Sequence, residues 1–181
     1  MHQDVMFAGF GGQGIMLIGQ MVAYAGMAEG RQVSWLPSYG PEMRGGTAYC
    51  TVVVSDEPIG SPVLGNPSAC VVMNRPSLEK FAPTVKKGGL LLVNSSLIPI
   101  TSERDDIDEL LVPCNELAME VGTGKAANMV VLGAFVGRTG VVTLESLDKL
   151  VEYQFQKKPK FIPINKEALR VGYERGKAGA S

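Results

Sequence analysis

Short, wholly apolar runs alternate along this chain with longer segments of helical periodicity. Val5–Ala8, Ala69–Met73 and Leu90–Val93 are runs of the kind that strands take when both faces of a parallel sheet are covered. Gln32–Leu36 and the β-branched stretch Thr47–Val54 read as two more strands, and Leu110–Val112 as a last one. From Ile15 to about Ala28, Ile15, Ile18, Val22 and Ala25 make one apolar stripe, while Met16, Leu17, Met21 and Tyr24 cover much of the rest. A helix of that kind is covered on more than one side, by its own sheet or by another subunit. Gly30 ends it as a C-terminal cap.

Further along, Ser77 is placed to cap a helix from Leu78 to Val85, and Asn115–Val121 reads as another. The apolar run Met129–Gly137 lies inside a buried helix over Ala126–Arg138. Thr143 caps a helix over Leu144–Gln156, Pro159 and Pro163 break the chain, and Asn165 opens the last helix. Leu169, Gly172, Tyr173 and Gly176 form the packing stripe of that helix. Strands alternating with helices predict an α/β fold: a three-layer sandwich with a mostly parallel, Rossmann-like sheet and helices on both faces. The expected layout is one α/β domain over residues 1–181, with C-terminal helices of about 143–177 packed on it.

The first strand runs into Gly9-Phe10-Gly11-Gly12-Gln13-Gly14, and a helix follows at once. Gly9, Gly11 and Gly14 match the spacing of a strand-to-helix phosphate turn, in which backbone must come close to the anion and the third glycine lets helix and strand pack. Amides at the helix start carry partial positive charge. One element of dinucleotide sites is missing: no Asp or Glu closes the second strand to bind a ribose. Four readings stay open for Gly9, Gly11, Gly12, Gln13 and Gly14: a tight turn alone, NAD or FAD, some other phosphate ligand, or a contact with a partner's backbone.

A net charge of −1 gives no electrostatic reason to expect nucleic acid or a membrane as partner. The three cysteines, Cys50, Cys70 and Cys114, lie far apart, and His2 is the single histidine, at an N-terminus expected to be mobile. That set offers no iron–sulfur or zinc site, so no metal is expected on this chain. An odd cysteine count without a signal peptide fits a reducing cytoplasm. No segment has the length of a membrane span.

Two further stretches carry candidate chemistry. Ser38-Tyr39-Gly40-Pro41-Glu42-Met43-Arg44-Gly45-Gly46 combines turn formers with contact residues, and a loop of this length is uncommon without a function. It is expected to be an interface or site loop, in which Arg44 offers a planar fork for a carboxylate or phosphate. Gly122-Thr123-Gly124-Lys125 ends like a P-loop, but Ala126 stands where Ser or Thr is required. Lys125 and Asn128 are candidates only for support of the glycine turn, and a buried amide bonded to nearby backbone is the plainer account of Asn128.

With 9–14, 38–46 and Asn128-Met-Val-Val-Leu-Gly133 read together, the chain resembles the gamma subunit of 2-oxoacid:ferredoxin oxidoreductases, equivalent to the gamma-like domain of pyruvate:ferredoxin oxidoreductase. The likeness runs from about Val5 to Glu174, and the form of 38–46 is most similar to the 2-oxoglutarate type. The resemblance implies a cytoplasmic complex that converts a 2-oxoacid, CoA and oxidised ferredoxin to acyl-CoA, CO2 and reduced ferredoxin. It implies alpha and beta sister subunits that bind thiamine diphosphate, a ferredoxin-like delta subunit, Mg2+ and iron–sulfur clusters on those sister subunits, and a gamma chain inactive alone. The alternative is a stand-alone NAD- or FAD-binding protein of Rossmann type.

Overall fold

The computed structural model describes residues 1–38 and 47–179. Six strands form one sheet: β1 (His2–Phe10), β2 (Gln32–Ser38), β3 (Thr47–Ser55), β4 (Ala69–Val72), β5 (Leu90–Asn94) and β6 (Asp108–Val112), in the order β2-β3-β1-β4-β5-β6. β1, β4, β5 and β6 run parallel, and β3 runs against both of its neighbours. β2 therefore points the same way as β1, and only β3 is reversed.

Side chains alternate across this sheet with period two. Val5 and Phe7 of β1, Val71 of β4 and Leu92 of β5 face one core; Met6 and Ala8, Cys70 and Val72, and Leu91 and Val93 face the other. The first core is the larger. Over it lie α1 (Ile15–Ala28), α3 (Cys114–Val121), α4 (Ala127–Thr139), α5 (Leu144–Gln154) and α6 (Ile162–Ala178). α2 (Arg75–Phe81), a 3-10 turn Ala82–Thr84 and Ile98 cover the second. Helices thus lie on both faces of the sheet, as the alternation predicts.

α1 crosses the sheet closely because it carries glycines where it meets β2 and β3. A Cβ at Gly19 would sit 2.5 Å from Cys50 Sγ, and one at Gly26 would sit 2.8 Å from Val33 Cγ1. α4 is central, buried from Met129 to Val136, with the Phe135 ring edge-on to Phe7 at 5.3 Å. α6 lies along α4 so tightly that a Cβ on Gly133 would come within 2.0 Å of Leu169 O, and one on Gly172 within 2.0 Å of Val130 O.

Several boundaries differ from expectation, each for a local reason. β1 begins at His2, which pairs with Ser55 and so is held in the sheet. β2 continues through Leu36, Pro37 and Ser38 instead of ending at Leu36; it is an edge strand, where a proline without an amide hydrogen is tolerated. Asn74, not Ser77, caps α2: its side chain accepts the Ser77 amide at 2.8 Å, and Pro76 occupies the first turn. The last helix opens at Ile162, so Asn165 lies inside it and donates to Phe161 O at 2.8 Å. Thr143 caps α5 as expected, and Gly30 follows α1 with φ of +77°.

Candidate functional site

The glycine turn sits at the carboxyl end of β1. β1 and β4 are neighbours, but α1 leaves β1 for one face of the sheet and α2 leaves β4 for the other. Ligands of open α/β sheets bind in the crevice at such a point of divergence. Gly12 (φ +90°) and Gly14 (φ +76°) both take left-handed backbone, and Gly14 is the N-cap residue of α1. Gly11 and Gly12 are exposed, and a Cβ on Gly12 would meet nothing within 4 Å. Among the described residues, the amides of Gly11, Gly12 and Gly14 have no backbone acceptor.

Gln13 holds the turn in shape. Its Oε1 accepts the Phe10 amide at 2.7 Å, and its Nε2 donates to Met73 O at 3.1 Å, which ties the turn to the end of β4. Gly9 leaves room for this side chain, because a Cβ there would lie 2.6 Å from Gln13 Oε1 and 2.9 Å from Met73 Cβ. The turn is therefore shaped without a ligand.

The third glycine does something other than let helix and strand pack. A Cβ on Gly14 would lie 2.4 Å from Asn128 Nδ2, so Gly14 makes room for the start of α4; the packing of α1 on the sheet falls to Gly19 and Gly26. Asn128 is half-buried, and its Oδ1 accepts the Met129 amide at 3.0 Å. Lys125 is exposed in a 3-10 turn, Gly124–Ala126, just ahead of α4, capped by Thr123. Lys125 and Asn128 line one cavity of about 290 Å³ beside the turn, with Leu17, Phe155, Lys158, Phe161 and Asn165.

Ser38 lies at the end of β2, opposite Tyr49. Tyr39, Gly40, Pro41, Glu42, Met43, Arg44, Gly45 and Gly46 lie outside the described residues. Their return point is fixed, because Thr47 pairs with Phe10, the residue between the first two glycines of the turn.

Two features escaped the sequence reading. Asn74, 3% exposed, stands at the β4 side of the crevice, and its Nδ2 has no partner among the described residues. An Asn two residues before a proline at the end of an apolar run is the cap signal that marks it. The second is the aromatic and basic contribution of the α5–α6 connection, which approaches α1 only through tertiary packing.

Burial pushes the Asp4 carboxyl up, but hydrogen bonds from Ser68 and the nearby Lys86 outweigh it and hold the carboxyl below its ordinary value. Burial pushes Cys50 and Cys70 up to about 12 and raises Cys114 as well, so all three stay protonated thiols near neutrality. Among the described residues no group of three or more His, Cys, Asp or Glu is placed to hold a metal, and no helix is long and apolar enough to cross a membrane.

Comparison with known proteins gives this geometry a family. The model of the family described as pyruvate ferredoxin/flavodoxin oxidoreductase matches residues 4–175. The chain is 42% identical over 170 residues to ketoisovalerate oxidoreductase subunit VorA of Methanothermobacter marburgensis, covering 93% of this chain and 35% of that protein. It thus spans about a third of that relative's length. The chain is 34% identical to 2-oxoglutarate synthase subunit KorC of Methanocaldococcus jannaschii, covering 83% of this chain and 82% of the relative. The crystal structure of a keto/oxoacid ferredoxin oxidoreductase gamma subunit from Geobacter sulfurreducens superposes with a TM-score of 0.89 at 31% identity, over 100% of this chain and 99% of that one. The chain with the glycine turn at its β1/β4 crevice belongs to the pyruvate ferredoxin/flavodoxin oxidoreductase family.

Proposed function

We propose that this chain is the gamma component of a cytoplasmic, CoA-acylating 2-oxoacid:ferredoxin oxidoreductase, working with thiamine-binding alpha and beta partners and a ferredoxin-like delta partner. The family match supports the enzyme class. One observation of the structure carries the chain's part in it: a preformed glycine turn, open on its outer side, at the crevice between β1 and β4.

The turn fits a phosphate of CoA. Amides of Gly11, Gly12 and Gly14 are unspent, the start of α1 favours an anion, and Gly12 leaves its outer side clear. CoA supplies the thiol that accepts the acyl group; this chain's residues would hold and orient it. The loop 38–46 is the surface proposed for contact with partner or substrate, with Arg44 as its anion fork. Thr47, the first described residue after it, pairs with Phe10 in the turn, which supports a shared role.

A stand-alone NAD- or FAD-binding protein is disfavoured by strand order. β3 separates β2 from β1, so the end of β2 lies two strand spacings, about 10 Å, from the turn. It carries Ser38 in place of the acid that would bind a ribose.

Two oxoacids compete. The form of 38–46 favours 2-oxoglutarate, whereas the identity to the ketoisovalerate relative is higher than that to the 2-oxoglutarate one. Reconstitution with the partner subunits and assay of ferredoxin reduction with each acid decides between them. In the same complex Gly12→Val should raise the apparent KM for CoA at least tenfold with assembly intact. Ferredoxin reduction by the purified chain alone would sink the subunit reading, and an unchanged KM would move the turn from ligand to packing.

A further inference from the structure

We propose that one uncharged side of the molecule, made of the outer flank of α1, its groove with α5 and the edge strand β2, seats an apolar helix of a companion subunit. That companion is the one equivalent to the rest of the ketoisovalerate relative's chain. The docking rests on the reading of this chain as one component of a larger enzyme. α1 and β2 hold no Asp, Glu, Lys or Arg from end to end. A helix apolar on all sides belongs inside a protein, yet α1 has only part of its circumference filled. Gly19 meets Cys50 of the sheet, Gly26 meets Val33 and Val54, and Ile18, Val22 and Ala25 are fully buried in the larger core. Tyr24 and Met27, on the remaining flank, are each 56% exposed.

Across a groove of about 620 Å³ from Tyr24 stand Leu150 and Tyr153 of α5, and Tyr153 is 71% exposed. Among the described residues, none that lines this groove is charged. Tyrosines are typical interface anchors, and methionine adapts its shape to what it meets. The rest of the surface is different. The outer faces of α5 and α6 carry ion pairs such as Glu145–Lys149 at 2.7 Å and Glu167–Arg170 at 2.9 Å. The far edge of the sheet, β6, opens with Asp108 and Glu109, charges of the kind that keep a free edge from pairing. β2 has no such guard, and Leu36 on it is 45% exposed. A side without charge on both its helix and its strand has the character of a permanent interface, which resembles a core cut in half.

The relatives point to the occupant. In the ketoisovalerate subunit this region is 35% of the chain, so the rest of that chain is tethered to it one to one. In the 2-oxoglutarate relative the region is 82% of the chain, so a companion there can be held by burial alone. A groove with apolar walls between two helices takes a third helix that presents an apolar stripe. A charged segment would lose its hydration there and find no partner.

Hydroxyl-radical footprinting of the chain alone and in complex with that companion subunit tests the proposal. Oxidation of Tyr24, Met27 and Tyr153 should fall at least tenfold in the complex. Met27→Glu and Tyr153→Glu should each weaken assembly at least tenfold, while the chain alone melts as before, because both side chains are exposed in it. Arg170→Glu, on the charged face of α6, should leave assembly within twofold. Unchanged oxidation of the three residues in an assembled complex overturns the proposal, and so does an equal loss of assembly for Arg170→Glu and the groove variants. A chain that is already a dimer, is dissociated by Met27→Glu and still joins the companion gives this side to a second copy, and overturns it too. An unaltered chain that joins no companion subunit sinks the subunit reading and this proposal with it, whereas a normal complex with the groove bare leaves the subunit reading standing.

Discussion

At the seam of α4 and α6, a Cβ on Gly133, Gly137, Gly172 or Gly176 would fall 2.0–2.2 Å from backbone of the opposite helix; at the β1–α1 turn, a Cβ on Gly12 would meet nothing within 4 Å. One residue type serves opposite ends. In the seam glycine removes a side chain so that two helices touch, and the gain is dispersion contact along both backbones. In the turn it supplies a backbone angle and leaves the space outside unfilled. Crowding marks glycines that hold the fold, whereas an open left-handed glycine, as at Gly12 and equally at Gly30, Gly88 and Gly140, marks a turn, and only its place at the crevice sets Gly12 apart.

The sharpest way to break this contrast is Gly172→Val. With Val130 O in the way, α6 must move off α4, and the loss should reach at least about 3 kcal/mol, the upper end for overpacked sites. A denaturation midpoint close to that of the unaltered chain would mean that the seam is slack. Gly14 is intermediate, with left-handed backbone and a crowded Cβ position. Gly14→Ala should cost roughly 2 kcal/mol, within the range for strained backbone positions. Adding Asn128→Ala should return the part due to the clash and leave the part due to φ. If the double variant is no more stable than the single one, Asn128 is not what Gly14 accommodates.

Asp4 tests the opposite end of β1. Its carboxyl is held low by Ser68 and Lys86 against the cost of burial, so its stabilisation is present above about pH 4, the unfolded value, and is lost as pH falls through the lower folded value. Asp4→Asn should cost about 1.5 kcal/mol at pH 7, as for hydrogen bonds to a charged group, and should flatten the acid limb of the stability profile. An unchanged acid limb would remove Asp4 from the account. Gly12→Ala should have the smallest effect on melting, about 1 kcal/mol for left-handed backbone alone. A loss as large as that for Gly172→Val would erase the contrast.

Most elements were legible because their patterns are local. Runs such as Ala69–Val72 and Leu90–Asn94 are buried along their whole length, and the stripes of α1 and α6 face where their periodicity places them. Strand order was not legible: nothing in Thr47–Ser55 says that it enters between β1 and β2 instead of extending the parallel set. Caps were half legible, since Asn74 and Ser77 are both capping types and only the geometry chooses. The glycine turn was found by its spacing, but the partner of Gly14 lies 114 residues away on α4, beyond any local pattern. Lys158 and Phe161 carry no motif or periodicity in the sequence, and only the fold brings their connection beside Leu17.

The insertion of β3 also constrains the order in which the sheet can assemble. β2 and β3 are joined by eight residues, 39–46, so their pairing closes a short loop at small entropic cost. Hairpins of this kind form within microseconds, faster than contacts between distant segments. β1 pairs with β3 across a separation that includes all of α1, and α1 must then lie over β3 with Gly19 at Cys50 and Gly26 at Val54. The economical route is a preformed β2–β3 ribbon that docks its β3 edge against β1 and draws α1 down over the join. Phe10 and Thr47, beside the glycine turn, are the pair of that ladder with the smallest sequence separation, and the shape of the turn reports that the ribbon has seated in register.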